Sequence, residues 1–439
     1  MIMKKSWLAH RGLVVTTILL SFSFMGCKKD NPAPTTASDP KATEYKVVKS
    51  GILEIMKQNY LWNSTLPNVN IDSFATPQAL LDTLRNKQYD RYSFLTTKTY
   101  MQQLFQQGAY VGYGVSFKGD AQGNLRIAFL FNESPLVAAG VQRGWVVKSV
   151  NGTAITPQVN ITSLLGNDQA GVTNTFVMTD TLGVDHTITA AKQTINMNTV
   201  LDSRVIDYAG EKVGYLAFES FVQTSTAELD TAFKHFSETG INDLVVDLRY
   251  NGGGLGDVAL QMANFMVGDI ASGRIFVRYE HNALNTAMNK SFAIANGGYL
   301  FGLKRVFYIT SGSTASASEI MINGMKPIIP VYLVGDRTYG KPVGMYEWDF
   351  TNYDYALLPI CFSITNENHE GGYYTGIPVN SPQPDDLAHT LGSPQEACLS
   401  AVLYYIKNGS FPAPKKNAIV REGWGLDKIS GFRSLIGAF

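Results

Sequence analysis

Ser316 lies in the run Gly312-Ser313-Thr314-Ala315-Ser316-Ala317-Ser318-Glu319, and Lys341 follows it by 25 positions in Thr338-Tyr339-Gly340-Lys341-Pro342. A hydroxyl at the mouth of a helix and a lysine on a later loop are the parts of a nucleophile activated by an amine instead of an imidazole. The apolar run 305–310 reads as a strand that leads through the turn 311–314 into Ser316. The hydroxyl then faces the positive end of the following helix, and the Ala317 N–H points at a neighbouring anion, which is half an oxyanion hole. Ser316-Ala317-Ser318-Glu319 also spells a capping box, in which serine and glutamate only satisfy helix-end donors.

Pro342 disfavours helix at Lys341 and holds it extended, so the side chain projects back toward the Ser316 helix. A loop lysine is ordinarily solvated. To act as a base near neutrality its pKa must fall from about 10.4 to about 7, a cost of roughly 4 to 5 kcal/mol borne by burial, so its surroundings must be apolar. A third element is Leu244-Val245-Val246-Asp247-Leu248-Arg249, a buried strand followed by Asn251-Gly252-Gly253-Gly254. Glycines let backbone N–H groups approach a ligand, and one of Gly252, Gly253 and Gly254 would supply the second oxyanion donor. A plain glycine turn is the alternative, and no GKS or GKT ending follows to make a phosphate loop.

Alternating strand and helix patterns must position these residues: 213–218, a helical 226–239, 244–248, 305–310, a helix near 316–325, and 331–334. That alternation predicts an α/β core. Residues 108–192 differ, with short β-rich runs at 110–117 and 125–131 around a turn signal at 120–124. The run 145–150 enters Asn151-Gly152, a tight turn where glycine accepts positive φ. Over 43–107, Val48, Ile52, Ile55 and Met56, then Leu80, Leu81 and Leu84, recur at helical intervals and predict a small helical domain.

The 439 residues, 45% hydrophobic, suffice for several domains with a substantial core. Lys plus Arg equals Asp plus Glu at 36 each, so no global field draws the chain to nucleic acid. Lys4, Lys5 and Arg11 precede the apolar stretch 13–25, which is too short to span a bilayer and reads as an export signal over 1–26. Phe24-Met25-Gly26-Cys27 resembles a bacterial lipoprotein processing box, so the expected mature chain starts at a lipidated Cys27 on a Pro- and Thr-rich tether, 27–42; an ordinary signal peptide is the alternative. Cys361 and Cys398 then remain, to pair or stay as thiols. The six histidines show no metal-ligand spacing, so no metal is expected, and a serine activated by a lysine needs no organic cofactor.

Taken together, these motifs resemble the carboxy-terminal processing (tail-specific) serine proteases. That family pairs a serine in Ser-Ala-Ser-Ala-Ser-Glu with a lysine 25 positions on in Gly-Lys, matched here by 314–319 and Gly340-Lys341. Its Asp-Leu-Arg-x-Asn-x-Gly-Gly element is matched by Asp247-Leu248-Arg249 with 251–254. Gly112-Tyr113-Gly114-Val115, 134–141, Gly144 and Val150-Asn151-Gly152 look like the family's PDZ domain. Such a domain takes a peptide C-terminus as an added strand and holds its carboxylate in a loop, here Tyr113, Gly114 and Val115. Tyr60-Leu61-Trp62 and Asp90-Arg91-Tyr92-Ser93 resemble the helical segment of envelope members.

The resemblance implies an α/β multidomain chain: an N-terminal helical segment (43–107), a PDZ-like β-rich domain (108–192), a crotonase-like α/β catalytic core (193–409) and a C-terminal tail (410–439). It implies polypeptide substrates bound through their C-terminal segments, without nucleic acid, and a lipid anchor in the bacterial cell envelope. Two positions depart from the pattern. Met345 stands where the family often places the Gln that orients the lysine, so the third triad member is missing, and a weakened, peptide-binding protein is the alternative function. Trp145 replaces a common acidic residue after the PDZ glycine.

Overall fold

The computed structural model describes residues 2–6 and 39–413. The expected processing site with Cys27, most of the tether and most of the tail lie outside the described residues, as does the expected signal segment apart from 2–6, which forms a strand. Among the described residues no helix is long and apolar enough to cross a membrane.

The first helix, Pro40–Asn59, starts where the Asp39 side chain accepts from the Lys41 N–H and Pro40 supplies a preset φ. It buries Val48, Ile52, Ile55 and Met56. Thr76 caps the second helix, Pro77–Leu84, which buries Leu80, Leu81 and Leu84. These residues do not close a core of their own. They share one hydrophobic cluster with helices of the α/β core, and the segment's last strand, Phe94–Thr96, pairs antiparallel with Ala356–Leu358.

A two-stranded ladder of Ala109–Gly112 with Gln193–Asn196 forms the neck of the next unit. Beyond it, Val115–Gly119, Leu125–Leu130, Val146–Val150, Thr173–Thr179 and Asp185–Ala191 pair in that order as an antiparallel sheet around its own apolar cluster. Asn151 (φ 50°) and Gly152 (φ 77°) both turn left-handed, as a two-residue hairpin requires. Val115–Gly119 lies at the edge of this sheet.

The core's first sheet follows chain order: Val200–Tyr208, Glu211–Phe218, Asp243–Asp247, Arg305–Thr310, Val331–Gly335 and Ser381–Pro382, parallel from the second strand on. Its strands are apolar on both faces because helices cover both. Val213, Tyr215, Val245, Phe307 and Ile309 pack with the helix Ala397–Asn408, while Leu216, Phe218, Leu244, Val246 and Tyr308 share a cluster with Ser225–Thr239, Gly256–Ala271 and Ala317–Met325.

The expected crotonase-like core is corrected here. After Gly335 the chain leaves the parallel sheet and returns to it only at Ser381–Pro382. Val343–Asp349, Ala356–Leu358 and Ile360–Thr365 fold as antiparallel neighbours in a separate seven-stranded sheet with Ile275–His281, Lys290–Ala293, the donated Phe94–Thr96 and, parallel to 345–349, residues 2–6. Local alternation of strands and helices cannot foresee this split, because both sheets draw strands from the same stretch of chain.

Candidate active site

Ser316 sits between the strand Arg305–Thr310 and the helix Ala317–Met325, buried, with φ 56° and ψ −115°. This is a sparsely populated region for a residue with a Cβ, costing of order 1–3 kcal/mol, and the surroundings must impose it. Thr314 Oγ1 donates to the Leu248 carbonyl at 2.8 Å, Ser311 Oγ to the Arg249 carbonyl, and Ala315 N to the Asn251 carbonyl at 3.2 Å. The Ser316 turn is thereby stitched to the glycine loop. Ser318 Oγ adds contacts of 3.0 and 2.9 Å to the two oxygens of Asn251.

The glycine loop approaches Ser316 through Gly253. A Cβ there would lie 2.7 Å from Ser316 Cβ and 2.9 Å from the Ala317 nitrogen, and φ is +104°, so only glycine fits. The Gly253 N–H donates to Asn251 Oδ1 at 2.8 Å, and its carbonyl accepts from Phe221 N. The amides of Gly252, Gly254 and Ala317 have no bonded partner among the described residues. Gly254 (φ +135°) runs against the Phe221 backbone in a parallel bridge.

The lysine loop joins the same turn from the other side: Tyr339 N donates to the Thr314 carbonyl at 2.9 Å. Lys341 is 1% exposed. Burial pulls its pKa down to about 8, against the opposing pull of Asp90 and Glu319, which favour the charged form. Glu319 is fully buried and links the two loops. Its Oε1 accepts from Thr338 Oγ1 (2.6 Å) and Gly340 N (2.7 Å), and its Oε2 from Ser316 N (3.0 Å) and Lys341 N (2.7 Å). Burial raises its pKa to about 7 despite those four donors. Met345 is wholly buried in the main apolar cluster, on the strand Val343–Asp349.

Behind the glycine loop is a buried charge network. Arg249 meets Asp247 Oδ2 at 2.8 Å, Glu396 Oε1 at 2.7 Å and Asp385 Oδ1 at 2.9 Å. Arg143, from the sheet unit at 115–191, reaches the same Asp385 oxygen at 3.0 Å and the Tyr250 hydroxyl at 2.6 Å. Burial alone would raise the Asp385 pKa, but the two guanidiniums outweigh it and hold the carboxyl well below its usual range.

In the sheet unit, Gly114 (φ 62°) leads from Tyr113 into the edge strand starting at Val115. Ser134 Oγ donates to the Tyr113 carbonyl and Phe131 N to the Gly114 carbonyl, so this loop's carbonyls are bound inward. Trp145 is buried and stacks on His186 at 4.7 Å. Cys361 and Cys398 do not pair with each other; their thiols donate to the Pro359 and Pro384 carbonyls.

Glu319, Thr338, Asp90 and Tyr92 were not singled out as site residues from the sequence. The signal for Glu319 was an acid in the first turn of an otherwise apolar helix, which a capping box explains locally.

Strand, sharp turn and helix position a strained, buried serine in an α/β core that also buries Lys341. Residues 212–363 match the family described as Peptidase family S41, and residues 48–94 match the Peptidase S41 N-terminal domain. The chain is 28% identical over 271 residues, 60% of its length and 52% of the relative's, to a Staphylococcus saprophyticus protein named "Probable CtpA-like serine protease". A crystal structure assigned as an S41 protease of Bacteroides fragilis superposes with TM-score 0.67 at 23% identity, covering 82% of this chain and 97% of that one. The photosystem II D1 C-terminal processing protease superposes with TM-score 0.51 at 18% identity over 80% and 97%. These matches make residues 48–94 and 212–363 similar to S41, CtpA-like C-terminal processing serine proteases, with a PDZ-like sheet unit between the two matched segments. The core has the S41 peptidase fold, which replaces the crotonase-like expectation. The match spans about half the length of the first curated relatives.

Proposed function

We propose that the chain is a serine endopeptidase using a Ser316–Lys341 dyad on polypeptides. The observation that carries this reading is the burial of Lys341, with a pKa of about 8, on the same Glu319 oxygen that holds the Ser316 backbone. About a tenth of the lysine is neutral at pH 7, enough for a general base. Neutral Lys341 takes the Ser316 proton as the oxygen attacks the peptide carbonyl. The Ala317 N–H and an amide of the Gly252–Gly254 loop stabilise the oxyanion. Collapse expels the amine, which takes the proton from the Lys341 ammonium, and water activated by the same lysine releases the acyl group. No metal or organic cofactor enters these steps.

The PDZ-like unit recruits substrate C-termini, the carboxylate at Tyr113, Gly114 and Val115 and the peptide as a strand beside Val115–Gly119, which lies at its sheet's edge. Export and a lipid anchor at Cys27 would hold the enzyme in the cell envelope. The division into 43–107, 108–192 and 193–409 belongs to the same reading. A weakened peptide-binding protein is the second reading, favoured by Met345 alone. Full-length protein, Ser316→Ala and a peptide panel varied in the last three residues distinguish the two: the endopeptidase reading expects cleavage that Ser316→Ala abolishes, and equal rates with and without the hydroxyl overturn it.

A further inference from the structure

With Met345 apolar and buried, the resemblance leaves open what holds and dries the lysine amine. The N-terminal helical segment supplies a group at that place. Its loop 90–93 lies on the lysine loop: Arg91 Nη2 donates to the Tyr339 carbonyl at 2.7 Å, with its guanidinium 4.3 Å from the Tyr339 ring centre, and Tyr92 Oη donates to the Gly340 carbonyl. The buried Tyr92 ring centre is 5.6 Å from Lys341 Nζ, and the ring packs edge-on to Tyr339 at 6.0 Å.

This loop is rigidly held. The Asp90 carboxylate accepts from Tyr60 Oη (2.7 Å), Ser93 Oγ (2.6 Å) and the amides of Tyr92 and Ser93. Ser93 Oγ in turn accepts from Ile360 N at 2.9 Å, which fastens the loop to the core sheet.

We propose that Tyr92 is a positioning residue for Lys341: its ring walls the amine off from water, and its hydroxyl fixes the lysine's backbone through the Gly340 carbonyl. The N-terminal helical segment thereby completes the active site of the core. This rests on the reading of Lys341 as the base. Asp90 from this loop, Glu319 from the helix and the Tyr92 ring act on the amine; Arg91, Tyr339 and Glu319 act on Tyr92, and Tyr373 lies in the field of Glu319 and Tyr92. Two effects of the ring oppose each other: its face favours the ammonium, whereas its bulk excludes water and favours the neutral amine. Since the amine lies below its ordinary value with burial as the largest cause, exclusion of water dominates.

The test is the pH profile of kcat/KM for polypeptide cleavage by the full chain. Tyr92→Ala admits water, so the limb near pH 8 moves up by roughly one unit, activity at pH 7 falls about tenfold, and much of it returns at pH 10. Tyr92→Phe keeps the ring and so keeps the limb, while kcat falls several-fold with KM unchanged. A Tyr92→Ala enzyme with the wild-type limb and rate overturns the proposal. If thermal melting shows that Tyr92→Ala does not fold, Tyr92→Phe decides, and an unchanged kcat there overturns it. Lys341→Ala is run in parallel: if it stays active, the assignment of the base fails independently of Tyr92.

Discussion

Ser316 and Lys341 meet at one atom: both backbone N–H groups donate to Glu319 Oε2, at 3.0 and 2.7 Å. A single buried carboxylate therefore sets the distance between the Ser316 turn and the lysine loop, and its other oxygen holds Thr338 and Gly340.

Replacing that carboxylate by an amide sets at least one backbone N–H against another donor: Gly340 N if the amide nitrogen takes the Oε1 place, where the Thr338 hydroxyl can turn to accept, or both Ser316 N and Lys341 N if it takes the Oε2 place. Glu319→Gln is expected to lose at least about tenfold in kcat and about 1–3 kcal/mol of stability, the usual cost of leaving buried donors unmet. Steady-state kinetics and a urea melt check both.

The two buried groups give stability opposite slopes with pH. Glu319 is raised from 4.5 to about 7, so the native state binds more protons than the unfolded state between those values, and stability falls as pH rises through that window. Lys341 is lowered from 10.5 to about 8, so the unfolded state binds more protons there, and roughly 3 kcal/mol returns as pH rises from about 8 to 10.5. Urea midpoints at closely spaced pH values, compared with those of Lys341→Met, isolate the second slope.

Gly253→Ala places a Cβ 2.7 Å from Ser316 Cβ at a φ of +104°. The loop must move away from the Ala317 amide. Activity is expected to fall about 10²- to 10³-fold, the cost of losing an oxyanion donor, with KM little changed.

Arg143→Ala removes one of two guanidiniums from Asp385 and the contact with Tyr250, across the junction of the PDZ-like unit and the glycine loop. Breaking such a buried pair typically costs about 3–5 kcal/mol. Calorimetry is expected to show a lowered melting temperature.

Met345→Gln tests the weakened-enzyme reading. A buried amide without ready partners in an apolar cluster is destabilising by about 1–3 kcal/mol, so the dyad account predicts lower stability and no large gain in rate. A rise of more than about tenfold would mean that the parent chain is crippled.

Much of this was legible in the sequence because it is local. The apolar positions of the first two helices, the Asn151-Gly152 hairpin, and the strand, turn and helix around Ser316 follow from periodicity and turn chemistry over a few residues. What was hidden depends on distant partners. Glu319 reads as a cap until Thr338, Gly340 and Lys341 fold onto it, and Phe94–Thr96 shows no sign that its partner is Ala356–Leu358. The crotonase-like expectation came from the resemblance, and alternation along the chain could not correct it, since it does not say which of two sheets a strand joins.

The central claim is that the buried amine of Lys341 activates the Ser316 hydroxyl. The most direct measurement is the initial rate of cleavage of an unstructured polypeptide by full-length wild type and Lys341→Met between pH 6 and 10. The account predicts a wild-type rate that climbs through a midpoint near pH 8 and a variant at least about 10³-fold slower throughout. A variant that matches the wild type at every pH would contradict it.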